Sequence, residues 1–294
     1  SDVVDRIQRA AKKDAKIDLF YPRAATLEEI QGQLARGEAL LLFGLCLDEA
    51  LALVLTNEEA RIVPLGKAAD VTAACAALDL TDPEADPADA LAALQKLLVA
   101  PLALKDDLRR LLVSPDGPLS YVPMVVLFPG REVAYEPSGT TYGLLLEDRA
   151  KRGDQVLALG DPDYGAKFAP HALDLYAPVA QRGGHLARLP GTRDEAIGIG
   201  SVTLLDKDAS EAGLHDALAR TKGRWRAVHF ACHGLVNADR PTLSSLALTP
   251  DATNDGFLTA LEVLRMEIPS DLVVLSACET GKGKIVSGEG IVGL

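Results

Sequence analysis

No run of the chain approaches the ~18 consecutive apolar residues of a membrane-spanning helix. Its first residues, SDVVDRIQRAAKKDAK, offer neither the apolar core nor the small-residue cleavage site of a secretory leader. A cytoplasmic protein without a membrane role is the expectation. There is also no C-x-x-C pair: Cys46, Cys75, Cys232 and Cys278 stand singly, which suits a reducing compartment and independent thiols better than a disulfide framework. Basic charge is short, with 30 Lys and Arg against 42 Asp and Glu and a formal net charge of −12. That balance argues against nucleic acid and anionic membrane as partners, since both need a clustered basic surface. G-x-x-x-x-G-K-[ST] does not occur, so the phosphate cradle of P-loop nucleotide binders is missing. No repeat of 20–50-residue period is present, and the one biased stretch is the Asp/Pro/Ala loop near 81–90.

What is there is an ordinary globular composition, 48% hydrophobic over 294 residues, enough for about two domains. Residues 1–38 read as a helical stub or linker: TLEEIQGQLARG opens with Thr26 and Glu29 in capping-box spacing and closes with Gly37 at a C′-like position. Three short apolar runs in 39–66 predict an antiparallel meander, and the Ala/Leu-rich stretch of about 68–98 predicts helices interrupted by a loop. RRLLVSPDGPLSYVPMVVLF (109–128) reads as a strand, a turn and a second short apolar run, followed by EVAYEPS and a helix near 139–149. The polar segment 147–155 is the candidate boundary between subdomains 39–150 and 151–294. Beyond it, strands at 156–160, 201–206, 227–232 and 271–278 alternate with helices, among them one at 258–266, which implies right-handed crossovers and a largely parallel sheet. In such sheets function gathers beyond the carboxyl ends of the strands.

Two segments end strands in an unusual way: AVHFACHGLVNADR (227–240) and DLVVLSACETGKG (271–283) each break into glycine as they deliver a reactive side chain. His233 and Cys278 lie 45 residues apart in sequence, yet parallel strands can bring both to one rim. A thiol becomes a useful nucleophile when a base takes its proton or an imidazolium holds the thiolate, which is what a Cys–His pair provides. Gly234 follows the histidine and Gly281 stands three after the cysteine, so the backbone N–H groups of Gly234 and Cys278 are the candidates for an oxyanion hole. S-A-C-E-T-G approximates a caspase signature, with Ser276 in place of Gln and one extra residue before the glycine. His229, inside an apolar strand, reads as a hydrogen-bonded structural histidine, and Cys232 as core. A zinc site on His229, Cys232 and His233 fails because the strand splits them between faces and no second Cys/His cluster completes four ligands. No metal and no organic cofactor is called for.

VHFACHG, LSACETG, GEGIVGL, LLVSPDGPLSYVPMVVL, YEPSG and LALGDPDYG together resemble the CHAT family, caspase-like domains related to separases. The resemblance runs from about Ala39 to Leu294. It implies an α/β fold with a mostly parallel, helix-flanked caspase-like sheet at 151–294, preceded by a smaller pseudo-protease-like subdomain at 39–150. It further implies a cysteine endopeptidase with His233 and Cys278 as its dyad and a protein or peptide as substrate. By the same resemblance the loop after the first sheet strand supplies the P1-binding residue. Here that loop holds Asp161 and Asp163, which would favour Arg over Lys; Glu279 beside the nucleophile is a further candidate. Relatives carry a TPR array before the domain and continue past the segment that ends here at Leu294. A regulatory or sensor partner and a missing C-terminal part of the protease are therefore expected. The competing expectation is a pseudoprotease scaffold that binds a partner and leaves its dyad unused.

Overall fold

The computed structural model describes residues 23–78, 86–147, 152–165, 185–221, 223–237, 239–277, 284–286 and 290–292. The chain divides into two compact units, one of residues 1–149 with 285–290, the other of residues 150–284 with 291–294.

In the first unit, helix α1 (Leu27–Gln33) starts as its sequence dictates: Thr26 Oγ1 accepts from Glu29 N, and Glu29 returns the bond to Thr26 N. Its end differs from the expectation. The helix stops at Gln33, and Gly37, at φ +83°, turns the chain into the first strand. That strand, β1 (Glu38–Cys46), pairs antiparallel with β2 (Glu49–Leu55), which pairs with β3 (Ala60–Lys67), giving the predicted meander. After helices α2 (Ala68–Ala76) and α3 (Ala88–Leu94), β4 (Arg110–Ser114) adds parallel to β1. The second apolar run of 109–128 forms one helical turn, α4 (Met124–Leu127), because Pro123 precedes it and cannot donate to a ladder. β5 (Glu132–Tyr135) then joins β4 in parallel, and α5 (Gly139–Glu147) follows. The sheet order is β3-β2-β1-β4-β5. Its core gathers Leu41, Leu94, Leu98, Leu111, Val113 and Met124, all fully buried.

The second unit is the alternating α/β half. β6 (Val156–Pro162), α6 (Gly191–Ile199), β7 (Val202–Asp206), α7 (Glu211–Arg220), β8 (Ala227–Ala231) and β12 (Val273–Ser276) build a parallel sheet of order β12-β8-β6-β7. VLALGDP is buried almost throughout, as expected of a strand covered on both faces. Between β8 and β12 lies a small antiparallel sheet of β9 (His233–Leu235), β10 (Ser245–Ala247) and β11 (Phe257–Thr259). Helix α8 (Ala260–Val263) is shorter than the 258–266 segment suggested. Its first residues pair with β10, and the helix begins only after Thr259 and Glu262 close a capping box. Leu157, Leu159, Val228, Phe230, Leu214 and Trp225 form the core, each contributing about 1.5–3 kcal/mol through burial. A two-stranded sheet, β13 (Lys284–Val286) with β14 (Gly290–Val292), completes the described elements. The mixed α/β class with parallel-rich, helix-flanked sheets is the one expected from the sequence. Among the described residues, no helix is long and apolar enough to cross a membrane.

Candidate active site

The carboxyl ends of the parallel strands in the second unit carry most of the chemistry. β8 ends at Ala231, the chain bends at the buried Cys232, and His233 opens β9. β12 runs parallel to β8 with Ser276 opposite Ala231. In sequence, Cys278 stands two residues beyond Ser276 just as His233 stands two beyond Ala231. Cys278 and Glu279 themselves lie outside the described residues.

His233 Nε2 stands 2.7 Å from the carbonyl oxygen of Ala187. A carbonyl only accepts, so Nε2 carries the proton and, in the neutral ring, Nδ1 is the basic nitrogen. Tyr164 packs its ring 5.4 Å from the imidazole, centroid to centroid, and its hydroxyl donates to Ala247 O at 3.0 Å. Burial holds this phenol protonated, well above its ordinary range. Gly234 pairs with Leu246 and His233 with Ala247, so the histidine and the glycine after it are fixed by sheet register.

At the ends of β6 and β7 stands an acidic pair. Asp161 is only 3% exposed and sits at φ +49°; Asp206 ends the neighbouring strand at φ +51°. Both are left-handed conformations that few residues other than Gly, Asn and Asp adopt. Arg188 binds Asp161 in a fork, Nε to Oδ1 at 2.6 Å and Nη2 to Oδ2 at 2.9 Å, while Arg193 Nε reaches Oδ2 at 2.8 Å. Both guanidiniums also bond Asp206. The Arg188 hydrogen bond, with Arg193 helping, outweighs burial and holds the Asp161 carboxyl below the usual carboxylate range; Arg193 and then Arg188 do the same for Asp206.

Close packing aims these groups. A Cβ at Gly160 would lie 2.3 Å from Thr192 O and 2.7 Å from Ala196 Cβ, so only glycine lets α6 approach β6 closely enough to set Arg193 over the strand end. Thr192 Oγ1 ties the two elements by accepting from Asp161 N at 2.8 Å and donating to Leu189 O at 2.6 Å.

Asp163 is engaged differently. Its Oδ1 accepts from Gly165 N at 3.0 Å in a local turn, and its own N–H donates to Thr249 Oγ1. His229 faces α6 and meets Glu195 Oε1 at 2.9 Å, the structural role read for it in the sequence. Cys232 belongs to the core.

A family model for the CHAT domain matches residues 88–294, more than two thirds of the chain. The chain belongs to the CHAT-domain family. This CHAT family is caspase-like and related to cysteine proteases. The match begins at the first residue of α3, so the β1–β3 meander precedes the matched CHAT region although the sequence resemblance extended to Ala39. No curated protein matches the chain.

Asp206, Arg188, Arg193 and Tyr164 were missed in the sequence. One signal was readable: VLALGD and SVTLLD are consecutive strands that both end in Asp, and neighbouring parallel strands put such residues side by side.

Proposed function

We propose that this CHAT-domain chain is a cysteine endopeptidase that cuts a protein substrate at few sites, after a basic residue. Cys278 attacks the scissile carbonyl as thiolate, its proton passing to His233 Nδ1; the oxyanion that forms is held by the N–H groups of Gly234 and Cys278. His233 then gives the proton to the leaving amine, and water, deprotonated by the same nitrogen, releases the acyl group from sulfur. The observation that carries this reading is the register of β8 with β12, Ala231 opposite Ser276, with the histidine and the cysteine each two residues further on. A basic P1 preference is supported by what the acidic pair already holds: guanidinium groups are the ligands Asp161 and Asp206 have within the chain itself. Arg193 belongs to α6, but Arg188 is 48% exposed and sits one residue after the carbonyl bonded to His233. An incoming arginine would take the place of Arg188.

The same contacts favour a second reading. Asp161 and His233 Nε2 are both satisfied inside the chain, as they would be in a CHAT scaffold that binds a partner without cutting it. Cleavage of a diverse peptide library, with Cys278→Ala beside the wild type and new termini read by mass spectrometry, separates the two. Cuts that require Cys278 and cluster after Arg or Lys are expected. Cuts after other residues would remove the P1 role of Asp161, and no Cys278-dependent cut would favour the scaffold.

A further inference from the structure

Away from the dyad, one end of the second unit concentrates negative charge around a single cleft. Its walls are Asp251, Asp255 and Glu262 from the β10–α8 segment and Glu211 from the start of α7. The two parts are held together by an isolated parallel bridge between Ser210 and Thr249 and by Thr249 N donating to Ala209 O at 2.8 Å.

The segment DATNDGFLTALE (251–262) places oxygen-bearing side chains at its positions 1, 3, 5, 9 and 12, a glycine at 6 and an aliphatic residue at 8. Apart from threonine at position 3, this is the D-x-[DN]-x-[DN]-G-x5-E spacing of a calcium loop, in which the glycine makes the sharp turn and the last glutamate supplies two oxygens. Gly256 turns at φ +85°, and a Cβ there would meet Leu248 O and Pro250 N, each at 2.9 Å. Leu258 pairs with Leu246, and α8 starts at the tenth position.

Spacing and an acidic cluster would not by themselves make a site. The independent observation is Glu211, which comes from a different element. It is 4% exposed, it lines the cleft, and its Oε1 is buried without a hydrogen-bond partner. A carboxylate taken out of water with one oxygen unpartnered, facing three more carboxylates, is costly to keep charged unless a cation meets it. Burial first, then the like charges of Glu262, Asp255 and Asp251, push its carboxyl up to about 7.

We infer that Glu211, Asp251, Asp255 and Glu262 form a binding site for a hard divalent cation of the calcium class. Carboxylate oxygens suit calcium or magnesium rather than zinc or copper, and ligands on a loop and a helix end favour calcium, whose coordination tolerates irregular geometry. Among the described residues, no three such side chains already converge as around an ion. Glu262 Oε2 is turned to Thr259, accepting from its N–H at 2.8 Å and its hydroxyl at 2.7 Å. Binding therefore includes a rotation of Glu262 off its cap. Asp251 is engaged in its own turn: the N–H groups of Thr253 and Asn254 and the Thr253 hydroxyl donate to its Oδ1, and Asn254 Nδ2 to both oxygens, so binding also turns the Asn254 amide away from Oδ2.

The test is isothermal titration of calcium chloride into the purified full chain, with magnesium chloride in a parallel arm and no substrate present, so that it does not depend on protease activity. One calcium per chain is expected, with a Kd of roughly 10⁻⁶ to 10⁻³ M, not displaced by a tenfold excess of magnesium. Glu211→Gln and Asp255→Asn should each weaken it by about tenfold or more. Asp216→Asn, an exposed substitution on the same helix, should leave it unchanged. Circular dichroism confirms that each variant is folded, and two separate carboxylates guard against one being a folding defect. Absence of both heat and a melting-temperature shift at about 10 mM calcium would overturn the site, as would undiminished binding in both variants.

Discussion

Cysteine reactivity separates the thiols of this chain by their surroundings. Burial pushes Cys75 up to about 11 and Cys232 up to about 12. At pH 8 the buried Cys232 is therefore held as the thiol and is inert to alkylation. Cys46 is exposed and sets the rate of an ordinary surface thiol. If Cys278 is the nucleophile paired with His233, iodoacetamide should label it well ahead of Cys46 and leave Cys232 unmodified. His233→Ala should bring Cys278 down to the rate of Cys46. Peptide mapping by mass spectrometry reads all of these in one time course. Asp161 makes the second residue-scale prediction. Its carboxyl is held low by Arg188 and Arg193, so the stability it contributes is present above its unfolded-state value of ~3.9 and is lost as pH falls through the lower folded-state value. Asp161→Asn should cost about 1–2 kcal/mol at neutral pH. That is less than the ~3–5 kcal/mol of breaking a fully buried pair, because both arginines keep contact with water and with Asp206. The difference from wild type should shrink below pH 4, which melting temperatures from pH 2.5 to 7 would show.

Among the elements, the stretch from Leu186 to Pro190 and the start of α6 decide how open the site is. Arg188 is half exposed while Asp161 is buried, so water screens the guanidinium and an incoming group can displace it. Arg188→Ala should therefore raise cleavage after arginine, with a lower KM. An unchanged KM would mean that Arg188 does not compete with substrate. Gly160→Ala should act on the packing behind the acidic pair. Its methyl group would push α6 off β6, costing about 1–3 kcal/mol and loosening Arg193 from the acidic pair, which a thermal melt and the Arg/Lys cleavage ratio would register. These same elements show what was legible in the sequence. Most strands of the two larger sheets were readable because VLALG, AVHFA and ALLLF are apolar runs bounded by turn residues, and β1–β3 because polar breaks separate their runs. The place of His233 just past a strand end was legible because a histidine followed by glycine after an apolar run is a local pattern. The acidic pair was half legible: Asp161 stood out, but Asp206 and the arginines reach it only through the β6–β7 pairing and the packing of α6, which are long-range facts. Boundaries failed where tertiary pairing overrode local propensity, as at α8, where β11 claimed residues that read as helix. The calcium-loop spacing of 251–262 was in plain sight, yet only its last residues carried a reading, as the start of the 258–266 helix.

On the scale of the molecule, two units with separate cores sit on one chain of net charge −12. Every residue proposed for cleavage, P1 recognition and cation binding that the structure describes belongs to the second unit. Perturbations should therefore sort by unit. Leu111→Ala, deleting a fully buried side chain of the first core, should cost about 2–5 kcal/mol there. It should leave calcium binding and the alkylation rate of Cys278 untouched. Calcium, by mass action, should raise the melting of the second unit alone. Differential scanning calorimetry of wild type, Leu111→Ala and Asp161→Asn, each with and without calcium, would resolve this as two transitions shifted by different agents. A single transition that moved equally with all three would mean the units unfold as one, and the site would then owe its stability to the first core as much as to its own.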